Sequence, residues 1–339
     1  KNRRTVTFSS QTFARLQNPA RHDKLKPIIR EGFLKKMKFK QHGKRFDWRA
    51  LLAVWLALAF LTAAGFAAYS AWQTSRIGVA VHFVDVGQGD GAIVVCDGKT
   101  LVIDGGTAEK GAKMVEYLQN TLHVSKVDFV IGTHPHADHI GGLPDVIRAC
   151  KVKKLYSPVD EFEAKPFETM KRAADDKKLK ITVPQAGQSF SLGRAKVEFL
   201  APLGIYDNVN DLSLVVRITY GQTAFLFTGD AERPSEYDMT DSGEDLSATV
   251  LKVGHHGSNT STSYVFLRQV MPAYAIISCG KDNAYGHPNE EVLSRLADEG
   301  AAVYRTDECG TIVCRSNGAK VTVRTEKGKK WTWPLDLFR

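Results

Sequence analysis

Residues Thr133-His-Pro-His-Ala-Asp-His-Ile-Gly-Gly142 place three imidazoles and one carboxylate within six positions, beside a pair of glycines. His134 and His136 are two residues apart where a strand ends, so both can bind one metal ion, while the adjacent Asp138 and His139 turn toward a second ion. Histidines in a polar surface loop would explain one or two of these imidazoles but not the whole spacing. The segment therefore predicts a centre for two metal ions.

Apolar runs elsewhere in the chain predict further strands that end in chemically active side chains. These strands are residues 99–104, ending in Asp104; residues 223–230, ending in Asp230; and residues 249–256, ending in His255 and His256. Asp230 is predicted to bridge the two ions, and Asp104 to orient a ligating histidine from behind. A single Asp at a strand end usually forms a turn or caps a helix, but together these side chains converge on one site.

The ordered set of Asp104, the HxHxDH segment, Asp230 and the paired histidines resembles the metallo-β-lactamase fold. The segments that carry a narrower resemblance are His82-Phe-Val-Asp-Val-Gly-Gln-Gly-Asp90, Gly254-His-His-Gly-Ser258 and Asn283-Ala-Tyr-Gly-His-Pro288. They are similar to the hydrolase domain of the competence protein ComEC, in the branch that contains the Asp-Val-Gly-Gln-Gly-Asp motif, and secreted choline-binding phosphodiesterases resemble the same motifs. The resemblance covers about residues 79–323 and implies an α/β fold, the αββα sandwich, with a hydrolytic centre of two metal ions.

The metal ligands are predicted from the same residues. One ion is assigned to His134, His136 and Asp230, and the other to Asp138, His139, Asp230 and His256. Many metallo-β-lactamase enzymes place another histidine before the bridging Asp, but this chain has none between His139 and His255, so the first ion lacks one nitrogen ligand. Near that position lies Asn210-Asp-Leu-Ser213, which is similar to the ComEC branch, and Asp211 is either a ligand or a capping residue.

The catalytic residues are predicted to be Asp138, Asp230, His255 and His287. His256 is preferred as the ligand of the pair, but strand alternation does not decide between the two because Gly254 can shift the register. His255 would then face the substrate, where it stabilises a phosphoryl oxygen or protonates the leaving group. His287 either shares this role or merely precedes Pro288 at the start of a helix at residues 289–296.

The residues predicted to bind substrate are Asp90, Ser213, Ser258 and Tyr285. For the two serines, hydrogen bonds to the local backbone are the alternative. The prediction for Asp90 follows from resemblance, because its glycine-rich segment is also typical of an ordinary bend and is followed by a strand rather than by a Rossmann helix.

Two divalent ions about 3.5 to 4 Å apart can hold a hydroxide in line with a phosphoryl group, so no covalent nucleophile is needed. Nitrogen ligands favour zinc, and the carboxylates make manganese the alternative. The predicted activity is that of a phosphodiesterase or nuclease on a phosphodiester substrate such as DNA. The alternatives are hydrolysis of phosphorylcholine esters, hydrolysis of β-lactams or lactones, and a metal-binding, noncatalytic assembly subunit of a DNA-uptake system.

Residues 50–72 carry no charge and predict a single transmembrane helix, because such a run covers the roughly 30 Å hydrocarbon core. The first 49 residues hold 15 Lys and Arg against 3 Asp and Glu, whereas the whole chain has a formal charge of +9, so the remainder is slightly acidic. The positive-inside rule places this tail in the cytoplasm and the hydrolase outside, which predicts a single-pass protein of the cell membrane. The tail either contacts anionic lipid or nucleic acid, or is solvated and disordered.

The predicted organisation is a basic cytoplasmic tail at 1–49, the transmembrane helix at 50–72, a linker at 73–78, the hydrolase domain at 79–325 and a basic, aromatic tail at 326–339. Short strands at 80–86, 92–96, 101–103 and 129–131 alternate with helices such as 112–122 and 166–178. Cys309 and Cys314 flank a turn and either form a disulfide or, as composition favours, remain buried thiols. A basic groove beside the centre would favour a nuclease, and an aromatic cage would favour choline esters.

Overall fold

The computed structural model describes residues 48–76 and 78–328, and within the first of these ranges it describes the side chains of residues 48, 49 and 51–66 only. Of the predicted terminal tails, residues 1–47 and 329–339 therefore lie outside the described residues. By contacts the chain divides into two compact units, residues 1–62 and 63–339. The two sheets described below belong to the second unit.

Helix α1 (Trp48–Arg76) contains the uncharged run, which is rich in the strong helix formers Ala and Leu. Its described side chains between residues 51 and 66 are all exposed, including Trp55 and Phe60. Over the described side chains of the chain, no helix is both long enough and apolar enough to cross a membrane. The transmembrane helix predicted at residues 50–72 thus has no support in the structure, and the linker predicted at 73–78 is helical as far as residue 76.

The first sheet, within residues 78–328, consists of β1 (Val79–Phe83), β2 (Ala92–Cys96), β3 (Lys99–Ile103), β4 (Lys126–Ile131), β5 (Lys151–Tyr156), β6 (Ile181–Thr182), β14 (Ile312–Ser316) and β15 (Val321–Thr325). The strand order is β15-β14-β1-β2-β3-β4-β5-β6. Strands β3 to β6 are parallel to one another, so β3 and β4 end at the same edge. Asp104 and the HxHxDH segment follow these two strands there.

The second sheet, within the same range, consists of β7 (Ser189–Leu192), β8 (Ala195–Ala201), β9 (Val215–Tyr220), β10 (Thr223–Phe227), β11 (Val250–Lys252), β12 (Tyr274–Ile277) and β13 (Ala302–Arg305). The strand order is β13-β12-β11-β10-β9-β8-β7. Strands β10 to β13 are parallel, so Asp230 after β10 and the histidine pair after β11 also share an edge.

The α-helices within residues 78–328 connect the strands, and most of them cover the outer faces of the two sheets. They are α2 (Gly111–Glu116), α3 (Ala137–Ile140), α4 (Leu143–Ala149), α5 (Lys165–Asp176), α6 (Arg233–Asp241), α7 (Tyr264–Val270), α8 (Glu290–Asp298) and α9 (Thr306–Cys309). One apolar core lies between the sheets, a second between the first sheet and α2, α4 and α5, and a third between the second sheet and α6, α7 and α8. This layering is the predicted αββα sandwich, and Met114 is fully buried in the second core.

Some predicted boundaries differ from the structure. The strand predicted at 80–86 ends at Phe83, where the glycine-rich segment begins the loop between β1 and β2, and Val84 N–H donates to Gly91 O at the base of this loop. The helix predicted at 112–122 ends as an α-helix at Glu116 and continues as a π-helical turn, Tyr117–Thr121. Cys314 is a buried free thiol, so the disulfide considered between positions 309 and 314 is not formed.

Candidate metal centre

The loops after β3, β4, β10 and β11 meet at one end of the sandwich, and each places a functional side chain there. The turn after β10 contains Gly229, which has a φ of +52°. A Cβ at Gly229 would lie 2.8 Å from Ser213 Oγ and 3.0 Å from Thr133 Cβ, so glycine is required where β10 turns. This turn brings Asp230 between the two histidine loops.

A first group of ligand atoms, which we call the outer subsite, consists of His134, His136 and Asp230. His134 Nε2 lies 3.0 Å from His136 Nδ1 and 3.8 Å from Asp230 Oδ2. His134 is fully buried, whereas His136 is exposed. The three atoms can contact one ion that is accessible from solvent on the His136 side.

A second group, which we call the inner subsite, consists of Asp138, His139, Asp230 and His256. His256 Nε2 lies 3.1 Å from Asp138 Oδ2 and 3.7 Å from Asp230 Oδ2. His139 Nε2 lies 3.1 Å from Asp230 Oδ1. Among the described residues neither of these last two buried atoms has a hydrogen-bond partner, which is the arrangement expected of side chains that hold a metal ion. Asp230 is common to both subsites.

Opposite charges within the centre govern its ionisation. Burial raises the pKa of Asp230, but the charges of His139 and His256 outweigh burial and hold this pKa well below its ordinary value. Burial lowers the pKa of His139, yet Asp230 and Asp104 hold it well above its ordinary value. For His256, burial is likewise outweighed by Asp230 and Asp90, and the pKa rises to about 9. The carboxylates therefore supply negative charge that protonated histidines balance here. A divalent cation would displace those protons and balance the same charge.

Asp104 lies behind His139, the position predicted for it. Its Oδ2 is 2.9 Å from His139 Nδ1 and accepts a hydrogen bond from Thr133 Oγ1 at 2.7 Å, while its Oδ1 accepts one from Thr133 N at 2.8 Å. Burial raises the pKa of Asp104 in spite of the nearby His139. With Nδ1 of His139 facing Asp104, its Nε2 is left to face Asp230 and an ion.

Ser213 and Asp211 occupy positions behind the ligands. Ser213 is fully buried, accepts a hydrogen bond from Asp230 N at 3.0 Å and lies 3.3 Å from His134 Nδ1. Its hydroxyl therefore contacts two predicted ligand residues and not the cavity predicted for substrate. Asp211 Oδ1 accepts hydrogen bonds from Glu232 N at 2.9 Å and Ser235 N at 3.3 Å, so it caps the start of α6, whereas the sequence predicted either a ligand or a cap between a loop and a strand.

The structure also separates the two adjacent histidines. His255 and His256 both adopt left-handed backbone conformations, with φ of 47° and 54°, in a short turn at Gly254–Gly257. This uncommon pair of conformations directs both imidazoles toward the centre. His256 is buried in the inner subsite, whereas His255 keeps 24% of its side chain exposed. His255 Nε2 lies 3.7 Å from Asp230 Oδ2, and its Nδ1 lies 3.1 Å from Glu232 Oε1.

A cavity of about 300 Å³ opens beside the centre. Its lining residues are Gln88, His136, Ala137, Asp138, Asp230, His255, His256, Tyr285 and His287. Tyr285 is 71% exposed, and its ring stacks on His287 with 5.7 Å between centroids. No Lys or Arg belongs to this lining among the residues that the structure describes.

Two of the predicted substrate-binding residues lie away from this cavity. Asp90 is 6% exposed and contacts the buried Lys252, and Ser258 Oγ lies 3.0 Å from Thr260 Oγ1 in its own loop. The structure therefore places Asp90 behind the inner subsite and Ser258 in local contacts. His287 lies at the cavity, where burial and the neighbouring His255 lower its pKa.

Sequence reasoning missed Glu232 and Lys252. Glu232 follows the bridging Asp230 by two residues and gives no periodic signal. Lys252 did give one, because it is the only charge in an apolar strand and is spaced two residues from the inward-facing Val250. A charged residue at an inward position of a buried strand indicates a buried partner of opposite sign.

Known proteins are similar to this chain over the segments that form the metal centre. The sequence model of the Metallo-beta-lactamase superfamily matches residues 84–281, more than half of the chain. ComE operon protein 3 of Bacillus subtilis (strain 168) is 32% identical over 253 residues, which are 69% of this chain and 33% of that protein. Competence protein ComA of Neisseria gonorrhoeae is 32% identical over 283 residues, 83% of this chain and 38% of that protein. The chain thus spans about a third of the length of these relatives, and the predicted resemblance to the ComEC hydrolase domain is confirmed.

Among solved structures, CmlA, a diiron beta-hydroxylase from Streptomyces venezuelae, superposes with a TM-score of 0.50 at 14% identity. The match covers 70% of this chain and 54% of CmlA. At this identity the likeness bears on the fold alone. Together with the two packed sheets, it confirms the α/β fold class predicted from the sequence.

Proposed function

We infer a function from one premise: this chain belongs to the metallo-beta-lactamase superfamily. The proposed function is that of a metal-dependent phosphodiesterase with two ions, acting on DNA. The observation that carries it is the position of Asp230, which contacts His134 on one side and His139 and His256 on the other. A carboxylate shared by two ligand groups beside an open cavity is suited to a pair of metal ions.

The chain's donor atoms fit two divalent cations. His134, His136 and Asp230 would hold the outer ion, and Asp138, His139, Asp230 and His256 the inner one. When bound, the ions would activate water for attack on phosphorus and stabilise the negative charge that develops on the phosphoryl group. Imidazole nitrogens favour zinc, and the carboxylates, together with the missing nitrogen ligand of the outer subsite, keep manganese as the alternative.

His255 is proposed as the proton donor to the leaving oxygen. Its Nδ1 lies 3.1 Å from Glu232 Oε1, which favours a proton on Nδ1 and directs Nε2 toward the centre and the cavity. Glu232 is itself held by Asn210 Nδ2, which donates to it at 3.0 Å, and by Asn208 Nδ2, which donates at 3.1 Å. In this step His255 acts as the imidazolium: as the bond from phosphorus to the leaving oxygen breaks, the proton on Nε2 would pass to that oxygen, and the proton on Nδ1 would stay toward Glu232.

DNA is the preferred phosphodiester for two reasons, although the described lining of the cavity holds no Lys or Arg and so lacks the basic groove that would favour a nuclease. One of the relatives is named a competence protein, and Tyr285 offers an exposed aromatic face at the cavity on which a base can stack. A phosphorylcholine ester is less favoured, because among the described lining residues Tyr285 is the only aromatic side chain apart from histidines, whereas choline is held in a cage of several aromatic rings.

The test is made on the purified full chain, in which bound metal is quantified and cleavage is measured for single-stranded DNA, bis-p-nitrophenyl phosphate and p-nitrophenyl phosphorylcholine. Asp230→Ala is the control. The proposal predicts DNA cleavage that disappears in the variant. Cleavage of the choline ester alone would replace DNA by that substrate class. Two bound ions without turnover of any phosphodiester would contradict the proposal and favour a noncatalytic assembly subunit.

Attachment to the cell membrane, with the hydrolase outside, also belongs to the proposal. Its support is the uncharged run at residues 50–72, the exposed apolar side chains of residues 51–66, and the basic residues before them. The expected result is that the full chain stays with membranes after an alkaline carbonate wash and that protease added to intact cells reaches the hydrolase domain. Release by the wash would exclude a membrane-spanning segment.

A further inference from the structure

Lys252 and Asp90 form a buried ion pair that joins the two sheets. Lys252 ends β11 in the second sheet and is 3% exposed, and Asp90 lies in the loop between β1 and β2 of the first sheet and is 6% exposed. Lys252 Nζ lies 2.7 Å from Asp90 Oδ2 and also donates to Val253 O at 2.9 Å. A buried pair of this kind seldom adds net stability, which suggests that it serves another purpose.

The pair lies against the back of the inner subsite. Asp90 Oδ1 is 3.2 Å from His256 Nδ1, and Asp90 Oδ2 is 4.0 Å from His139 Nδ1. The Nε2 atoms of both rings face the other way, toward Asp138 and Asp230. His256 Nδ1 donates a hydrogen bond to Ser278 O at 3.0 Å, which leaves Nε2 as the ligand atom. The imidazole rings therefore stand between Asp90 and an ion in the inner subsite.

The backbone of the same loop supports the other ligand segment. Asp90 N donates to Asp138 O at 3.0 Å, and a Cβ at Gly89 would lie only 2.2 Å from Asp138 O. Gly89 has a φ of +123°, so this close approach needs glycine. The glycine-rich loop thus packs against the Asp138 segment while its terminal carboxylate faces His256.

We propose that Asp90 and Lys252 are positioning residues for the inner ion: Asp90 stabilises His256 with its proton on Nδ1, and Lys252 holds Asp90 in that place and keeps its carboxylate away from the ion. The inference rests on the metal centre of the proposed function but not on its reaction. The rival assignment makes Asp90 a ligand, since its buried Oδ1 has no hydrogen-bond partner among the described residues, and atoms of Asp90, His139, Asp230 and His256 lie within 4.8 Å of one another.

The two assignments predict opposite effects for Lys252→Met. If Asp90 is a ligand, removal of Lys252 frees its carboxylate and leaves or tightens the binding of the inner ion. If Asp90 positions His256, removal of Lys252 releases the carboxylate from its place, and the inner ion binds about 10- to 100-fold more weakly. Asp90→Asn should lower the affinity for the inner ion by a similar factor. The double variant should bind this ion no more weakly than the single variant with the lower affinity does, because both residues act as one unit.

The experiment uses the full chain and zinc alone, with both dissociation constants measured by competition against a chromogenic chelator. The matched control is Lys153→Met, which breaks the Lys153–Asp128 pair elsewhere in the first sheet. We expect Lys252→Met to weaken only the inner ion and Lys153→Met to weaken neither. Equal weakening of both ions would indicate a merely structural role and overturn the proposal, as would unchanged or tighter zinc binding.

The folding of the variants is addressed by the double variant. Lys252→Met leaves a buried carboxylate without its partner and can lose the fold, whereas the double variant with Asp90→Asn removes both charges. If only the double variant folds, inner-ion affinity equal to that of the unmodified chain overturns the proposal. Unmodified chain that binds neither zinc nor, in a repeat of the titration, manganese overturns both this inference and the proposed function, whereas two bound ions with unaffected variants overturn this inference alone.

Discussion

The outer and inner subsites share Asp230 but differ in how their imidazoles are supported. In the inner subsite, His139 is backed by Asp104 at 2.9 Å, and His256 is backed by Ser278 O at 3.0 Å and Asp90 at 3.2 Å. In the outer subsite, His134 has Ser213 at 3.3 Å, whereas His136 is exposed. The chain also lacks the further histidine that would complete the outer ligand set. A fully backed subsite is preorganised for an ion, and the thinly backed one is open to solvent and substrate.

This difference between the subsites predicts different roles for the two ions. The inner ion would be held tightly, since its ligands are buried and oriented before binding. The outer ion would be held more weakly but with coordination positions left for water and a phosphoryl oxygen.

Replacing the shared ligand Asp230 should impair metal binding at both the inner and the outer subsite. Asp230→Ala removes the one carboxylate common to both subsites, so both ions should be lost or greatly weakened, and turnover of bis-p-nitrophenyl phosphate should fall more than about 1,000-fold, or about 4 kcal/mol in the activation barrier. The control is Asp211→Asn, which alters a helix cap beside the site. A variant at position 230 that keeps both ions and most of its turnover would remove the basis of the comparison.

Replacing one ligand of each subsite should separate the two ions. His256→Ala should weaken the inner ion more than about 100-fold, because loss of a ligand exceeds the loss of a supporting partner. His136→Ala should weaken the outer ion about 10- to 100-fold and leave the inner ion in place. Calorimetric zinc titration of the two variants checks this order. If His136→Ala instead abolished the tighter binding event, the assignment of inner and outer affinity would be reversed.

Replacing Glu232 should change the reaction without changing metal content. Glu232→Gln removes the carboxylate at His255 Nδ1, so DNA cleavage should fall about 10- to 100-fold, since proton transfer to the leaving oxygen is impaired. Cleavage of bis-p-nitrophenyl phosphate should fall less, because p-nitrophenolate leaves without a proton. Glu198→Gln, on an exposed Lys196–Glu198 pair, is the control. An equal loss on both substrates would assign Glu232 a structural role.

His82 lies outside the metal centre, and its pKa is lowered, whereas the pKa values of His139 and His256 are raised. Burial, followed by the charge of Arg315, lowers the pKa of His82 from 6.5 to about 4, and His82 Nδ1 lies 3.0 Å from Tyr117 Oη. Because the folded state resists protonation, the unfolded state binds more protons between these values. Stability contributed by neutral His82 is therefore present above about pH 6.5 and is lost as pH falls toward 4, by about 1.4 kcal/mol per pH unit.

His82→Gln should flatten this part of the stability profile and leave metal binding unchanged. Urea unfolding of metal-free chain between pH 4 and 7, with and without the substitution, measures the slope. The result that would contradict the interpretation is an unaltered slope in the variant, which would assign the acid sensitivity to another group, such as His134, whose pKa burial holds well below its ordinary value.

The position of the centre could be predicted from the sequence because its parts are local signals. The HxHxDH segment is continuous, and Asp104 and Asp230 each follow a recognisable apolar strand, so parallel pairing brings them to one end of the sandwich. The layering of the fold followed from the same alternation of strands and helices. These features need no information about contacts between distant segments.

The remaining features depend on geometry that no pattern encodes. The separate positions of His255 and His256 arise from two consecutive left-handed conformations, which strand periodicity does not include. The place of Asp90 is decided by a partner in the other sheet, Lys252, far along the chain. Asp211 could be read as a ligand or a cap until the start of α6 was placed beside it.

The most direct test of the shared centre is a titration of metal-free full chain with zinc, from zero to two equivalents, while turnover of bis-p-nitrophenyl phosphate is followed. Two subsites joined by Asp230, the inner one filling first, predict little turnover up to the first equivalent and a rise to full turnover across the second. Full turnover at one equivalent, or none at two, would contradict a phosphodiesterase that needs both ions.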